Sequence, residues 1–279
     1  MATASSAIDS VLQDGVAETL SKGGSLLPSP VAIPYEMVLH AIHPDYDFVT
    51  VKPNGETWIA VNRKTGDAYH FPRCPHAGQY RHVATGYTGN MVEKYTLDGF
   101  VELESDDVVV DGGAFVGAFT RAAAAKASTV LAVEPSPATL HALKLNTSQL
   151  DNVTVVHGAL WHESNTLQLH LGVDASDHSL IDIDDEALGH SVEVPAYRLD
   201  ELAPRHGLES IDFLKIDAEG GEPEVLRGAR SREIEKLAVD CGPERRGTTT
   251  AGEVTDMLQE RGYSTATEDG IVFARHEDA

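Results

Sequence analysis

Chemistry in this chain is concentrated where apolar runs end in acids. The first run is Val108-Val109-Val110-Asp111-Gly112-Gly113-Ala114-Phe115-Val116-Gly117, a strand that turns through glycines into a helix. Glycine there lets backbone approach a ligand and adopt conformations closed to other residues. The second is Val130-Leu131-Ala132-Val133-Glu134-Pro135, where a carboxylate at the strand end can accept both ribose hydroxyl hydrogens. The third is Phe213-Leu214-Lys215-Ile216-Asp217-Ala218-Glu219-Gly220-Gly221-Glu222.

A glycine turn of this kind also serves dinucleotide enzymes, and Glu134 suits either ribose. Asp111 discriminates: beside a pyrophosphate an extra acid opposes the ligand's charge, whereas a nucleoside carrying an ammonium and a sulfonium has no such objection. S-adenosylmethionine is therefore the expected cofactor, with a nicotinamide oxidoreductase as the competing reading. Its contacts are expected from Asp111, Gly112, Gly113, Ala114, Gly117, Glu134, Pro135 and Asp217. Backbone at Gly158 and Ala159, after the strand Val153–Val156, is expected to meet the adenine edge. Methyl transfer is an in-line displacement, so the acceptor must be aligned and must lose its proton. Asp217, Glu219 and His178 are the candidate catalytic bases; capping of the following helix is the alternative for the two acids.

These motifs resemble the FkbM-type methyltransferases, the third most specifically, and the likeness spans roughly residues 93–240, including Tyr197-Arg198-Leu199-Asp200-Glu201-Leu202. The resemblance implies a class I (Rossmann-like) α/β fold: a mostly parallel seven-stranded sheet with a reversed last strand and helices on both faces. It also implies S-adenosylmethionine as cofactor and O-methylation of sugars, polyketides or related hydroxylated metabolites. By matching position, Asp111, Gly113, Ala114, Gly117 and Glu134 would touch the cofactor, while Asp217 and Glu219 would border the transferred methyl. Where that family's pattern usually has Asn, this chain has Phe115.

Other residues invite chemistry with less support. His70, Cys74, His76 and His82 are possible zinc ligands by type, but their spacing fits no standard template, and no metal is expected. Lys215, inside an apolar strand, reads as a core lysine paired with an acid. Asp174, Asp177 and His178 lie in a polar stretch that reads as a solvated loop or part of an acceptor pocket. Two Asn-x-Ser/Thr sequons, at Asn146 and Asn152, fall at element ends, and with no export signal expected they are discounted.

The elements that must position these groups follow from periodicity. After Asp106, strands alternate with helices near 118–126, 137–149, 222–228 and 251–261, which implies right-handed βαβ units. Tyr263–Ala266 and Ile271–Ala274, joined through Glu268-Asp269-Gly270, read as a closing hairpin. Residues 31–104 read as a β-rich N-terminal extension, and residues 1–30 as a flexible or helical tail and linker; 105–279 is the expected methyltransferase domain.

Composition bounds the partners. The formal charge of −23 over 279 residues opposes a broad nucleic-acid surface, which argues against RNA methylation and favours a small-molecule or glycan acceptor. Two cysteines far apart suggest no disulfide framework, and no apolar run approaches the about 20 residues of a bilayer span. A soluble, cytoplasmic, acidic protein is the expectation.

Overall fold

The computed structural model describes residues 46–171, 178–180, 191–230, 234–245 and 247–276. The expected N-terminal tail, Asp174 and Asp177 lie outside the described residues. The chain divides into two compact units, one ending at Tyr87 and the other starting at Thr88.

In the first unit β1 (Val49–Asn54), β2 (Thr57–Asn62) and β3 (Ala68–Phe71) form an antiparallel meander. The β-rich expectation omits the helices α1 (Ala77–Thr85) and α2 (Tyr87–Tyr95), the second of which begins at the end of this unit. His76 starts α1 through a capping box: its ring accepts from the Gly78 amide at 3.0 Å, and the Gln79 side chain accepts from its backbone N–H. A histidine is an uncommon N-cap, so the usual Ser/Thr/Asp/Asn signal is missing.

The second unit is built on a seven-stranded sheet. Its strands are β4 (Val108–Gly112), β5 (Thr129–Glu134), β6 (Val153–His157), β10 (Ile211–Ile216), β11 (Ile234–Asp240), β12 (Tyr263–Glu268) and β13 (Ile271–His276). They run in the order β12-β13-β11-β10-β4-β5-β6, and only β13 opposes its neighbours. This is the class I methyltransferase topology. The helices are α3 (Ala118–Ala124), α4 (Pro137–Thr147), α5 (Leu199–Arg205), α6 (Glu222–Arg227) and α7 (Ala251–Gln259). Beside them lies a small sheet of β7 (Ala159–Leu160), β8 (Asn165–His170) and β9 (Ser191–Tyr197).

Alternation along each strand divides the core. Val110, Leu131, Leu214, Ile216 and Val239 pack with residues of α5, α6 and α7. Val109, Val130, Phe213 and Ala238 face the other way, onto Phe119 of α3 and Tyr95. Met91, Val101 and Leu103 join that second layer, so residues 88–104 pack with the large sheet.

Candidate active site

Strand order reverses on the two sides of β4: β5 and β6 continue one way, β10 and β11 the other. Ligands of open α/β sheets bind at such a switch point, beyond the carboxyl ends of the strands. Four carboxylates gather there. Asp111 is the penultimate residue of β4, opposite Lys215 of β10, and Glu134 ends β5. Asp217 follows β10, and Asp240 ends the next parallel strand, β11. All occupy the sheet face shared with Val109 and Phe213, because each is an even number of residues from that layer.

Asp111 is fully buried. Its Oδ2 accepts from the Thr120 hydroxyl at 2.5 Å, and Oδ1 lies 3.1 Å from the Lys215 ammonium without a hydrogen bond of good geometry. Lys215 also donates to the Gly113 carbonyl at 2.6 Å and reaches Asp217 at 3.8 Å. The lysine thus ties the glycine turn to two acids, as its place in an apolar strand suggests.

The turn itself is held by backbone. The amides of Gly113 and Ala114 both donate to the Val133 carbonyl, at 3.0 and 3.1 Å. Gly113 has φ 74, and a Cβ there would lie 1.8 Å from the Asp217 carbonyl oxygen. Only glycine allows the two strand-end loops to meet so closely. Gly117, at φ 85, caps α3 where a Cβ would strike Leu143. Phe115 takes φ 51, a conformation that Asn tolerates better than Phe, which is the physical content of the departure from the family pattern.

Glu134 accepts the Phe115 amide on Oε2 and the Ser136 amide on Oε1, each at 2.9 Å. An ionised carboxylate offers about four acceptor positions, so each oxygen retains one for a ligand hydroxyl. Burial pushes the Glu134 carboxyl up to about 7, against the pull of those two amides and of Lys215. Pro135 accepts from the His157 ring through its carbonyl at 3.0 Å, which fixes the turn after the acid.

On the other side of β4, Asp217 accepts the Tyr95 hydroxyl at 2.7 Å. Burial raises its proton affinity, but Lys215, Lys94 and the Tyr95 hydrogen bond outweigh it and hold the carboxyl below its ordinary value. Lys94 lies 2.6 Å from Asp240. Burial works against its charge, yet Asp217, Asp240 and Glu219 raise it overall.

The loop after Asp217 is stapled by Glu222. This buried carboxylate accepts from Gly220 N at 2.9 Å, Ala218 N at 3.2 Å and the Thr250 hydroxyl at 2.8 Å. Arg245 donates to the Gly220 carbonyl at 2.6 Å. Glu219 is thereby held at φ 47, and Ser179 donates to its carbonyl at 2.8 Å. The segment carrying His178 therefore lies beside Glu219. Gly158 is shaped by packing, since a Cβ there would meet Tyr197 at 2.5 Å, and Ala159 is buried in β7 opposite Ala196.

The sequence reading overlooks Lys94, Tyr95, Asp240 and Glu222. Asp240 carries the same signal as Asp111, an acid at the carboxyl tip of a parallel strand. Lys94 and Tyr95 have no local signal, because their partners lie more than a hundred residues away. In the first unit His76 caps α1, His70 lies 2.9 Å from the Thr57 hydroxyl and His82 stacks on Tyr87. Among the described residues no three His, Cys, Asp or Glu side chains converge as metal ligands.

These residues fit S-adenosylmethionine. Glu134 keeps acceptor capacity for the hydroxyls of a ligand, the Asp217 carboxylate stays partly open beyond the end of β10, and the glycine turn brings backbone to the switch point.

The chain is similar to known methyltransferases. The family model described as the Methyltransferase FkbM domain matches residues 107–265. The 31-O-demethyl-FK506 methyltransferase FkbM of Streptomyces tacrolimicus is 26% identical over 241 residues, covering 74% of this chain and 93% of that protein. Methyltransferase 1 of Beauveria bassiana is 29% identical over 193 residues, covering 58% of this chain and 74% of that protein. A crystal structure of methyltransferase FkbM from Methylobacillus flagellatus superposes with a TM-score of 0.43 at 16% identity, covering 70% of this chain and 52% of that chain.

Proposed function

The chain belongs to the FkbM methyltransferase family, whose members use S-adenosylmethionine, and on that premise we propose that it methylates a hydroxyl oxygen of a sugar, glycan or other hydroxylated metabolite. One observation carries the placement: Asp111, Glu134 and Asp217 lie at or just beyond the carboxyl ends of three adjacent strands, on one sheet face at the switch point. The oxygen acceptor draws support from the relative named as a 31-O-demethyl-FK506 methyltransferase. The formal charge of −23 favours an acceptor other than a polyanion.

When bound, S-adenosylmethionine supplies a methyl carbon activated by its sulfonium. Glu134 would take the ribose hydroxyls on its two free acceptor positions. The Gly112–Gly113–Ala114 turn and Gly117 would bring backbone alongside it, Pro135 would lie next to the ribose-binding acid, and the bend at Gly158 and Ala159 would face the adenine edge. Asp111 acts from within, with Lys215 holding it and the Gly113 carbonyl in one network. Asp217 and Glu219 would border the methyl, and Ser179, next to His178, donates to the Glu219 carbonyl.

The test is transfer of a labelled methyl group from S-adenosylmethionine to a panel of phenols, methyl glycosides and macrolide polyols, with the product identified by NMR. A new O–CH3 signal is expected. Methylation confined to amine and indole acceptors added to the panel contradicts the proposal.

A further inference from the structure

We propose that Glu222 and Thr250 are positioning residues for methyl transfer, holding Glu219 in a left-handed backbone conformation that aims its carboxylate at the acceptor. The inference rests on the reading that Glu219 borders the transferred methyl, and it deepens that reading by saying what fixes the acid there.

The loop between Asp217 and Glu222 carries a strained backbone. Glu219 takes φ 47 and Gly220 φ 91. Glycine adopts such values freely, but a residue with a Cβ is strained by them and keeps them only where its surroundings leave no alternative. A loop free to move would relax, so the groups that withhold that freedom bear directly on the site.

Glu222 withholds it from within the loop. Its buried side chain folds back so that Oε1 accepts from the Gly220 amide at 2.9 Å and the Ala218 amide at 3.2 Å, the residues on either side of Glu219. A left-handed residue in such a turn opens a concavity of N–H groups suited to an anion, and Glu222 fills it. Thr250 anchors the other oxygen, its hydroxyl donating to Oε2 at 2.8 Å. Threonine at the start of a helix ordinarily caps that helix with its hydroxyl. Thr250, at the start of α7, makes no such cap, and its hydroxyl serves Glu222 instead.

The two acids of the loop are held by different means. Asp217 is fixed without Glu222: its amide donates to the Gly112 carbonyl at 3.0 Å, and its carboxylate accepts from Tyr95. The glycine turn is likewise held by the Val133 carbonyl. Loss of the staple therefore loosens Glu219 and leaves the cofactor side of the site in place. Glu219 belongs to the acceptor side: although burial opposes the charge of Lys94, Asp217, Asp240 and Glu219 together raise it.

The experiment is a double-mutant cycle in the full chain between Glu222→Ala and Glu219→Gly, with Glu222→Gln and Thr250→Val alongside. Rates are measured with S-adenosylmethionine and a panel of catechol, methyl glucoside and a macrolide polyol, and S-adenosylhomocysteine affinity by calorimetry. Glu222→Ala is expected to lower kcat about 10–100-fold while the affinity stays within about threefold. In the Glu219→Gly background the same change should lower kcat by less than about threefold, because residues that act as a unit are not additive. Glu222→Gln, whose carbonyl oxygen still accepts both amides and whose NH2 donates to Thr250, should recover most of the rate. Thr250→Val should lose rate in the same sense as Glu222→Ala and takes its place in the cycle if that variant does not fold. A loss of kcat as large in the Glu219→Gly background as in the parent overturns the assignment. If the parent methylates nothing in the panel, the O-methylation reading fails on that panel, and the cycle is read by melting temperature instead. Releasing the staple lets a strained Glu219 relax but gives nothing back to glycine, so the drop caused by Glu222→Ala should be about 2–4 °C larger in the Glu219→Gly background. Equal drops in the two backgrounds overturn the inference.

Discussion

At the scale of single residues, the site depends on buried charges that need each other. Asp111 is fully buried with Lys215 as its ion-pair partner, so Lys215→Met leaves a carboxylate uncompensated. Breaking a buried pair from one side costs about 3–5 kcal/mol, and urea denaturation should show that loss. Adding Asp111→Asn should restore part of it, since the stranded charge is then gone. Glu134 and Glu222 behave differently, because burial raises each from 4.5 to about 7. A carboxyl raised in the folded state contributes stability that is full below 4.5 and lost as pH rises through about 7. The ligand-free protein should therefore be more stable at pH 5 than at pH 8, by on the order of 1–3 kcal/mol. Glu134→Gln should flatten that slope.

At the scale of elements, two strand ends are pressed together through Gly113. Gly113→Ala places a Cβ 1.8 Å from the Asp217 carbonyl at a backbone φ of 74, so the loops must separate. The expected cost is about 2–4 kcal/mol in denaturation, with loss of S-adenosylhomocysteine binding in calorimetry. Much of this was legible beforehand. An apolar run ending in an acid marks a strand tip, which is why Asp111, Glu134 and Asp217 stand out. The final hairpin was equally legible: Asp269 and Gly270 take φ 47 and 84, the two positive values that a two-residue turn of this type demands. Pairings between distant segments were not legible. The contact of Tyr95 with Asp217 spans 122 residues and follows no local pattern. The small sheet of β7, β8 and β9 depends likewise on partners far apart in sequence, and α1 is hidden behind a histidine cap.

At the scale of the whole molecule, a formal charge of −23 sets the electrostatic background. Carboxylates repel across the surface of a compact state, and salt screens that repulsion within a Debye length. The melting temperature should rise as sodium chloride is increased from about 0.05 to 1 M; a fall would mean that attractive surface pairs dominate. Among the described residues no helix is long and apolar enough to cross a membrane. The central claim, that a nucleoside cofactor rests on the tips of β4, β5 and β10, is tested most directly by calorimetric titration with S-adenosylhomocysteine at several pH values. Ribose hydroxyls that donate to Glu134 favour its ionised form, so binding should release a proton near pH 7, where that carboxyl titrates, and tighten toward alkaline pH. Glu134→Gln should weaken binding about tenfold or more and abolish the proton release. Binding that neither depends on pH nor responds to Glu134→Gln would place the cofactor elsewhere.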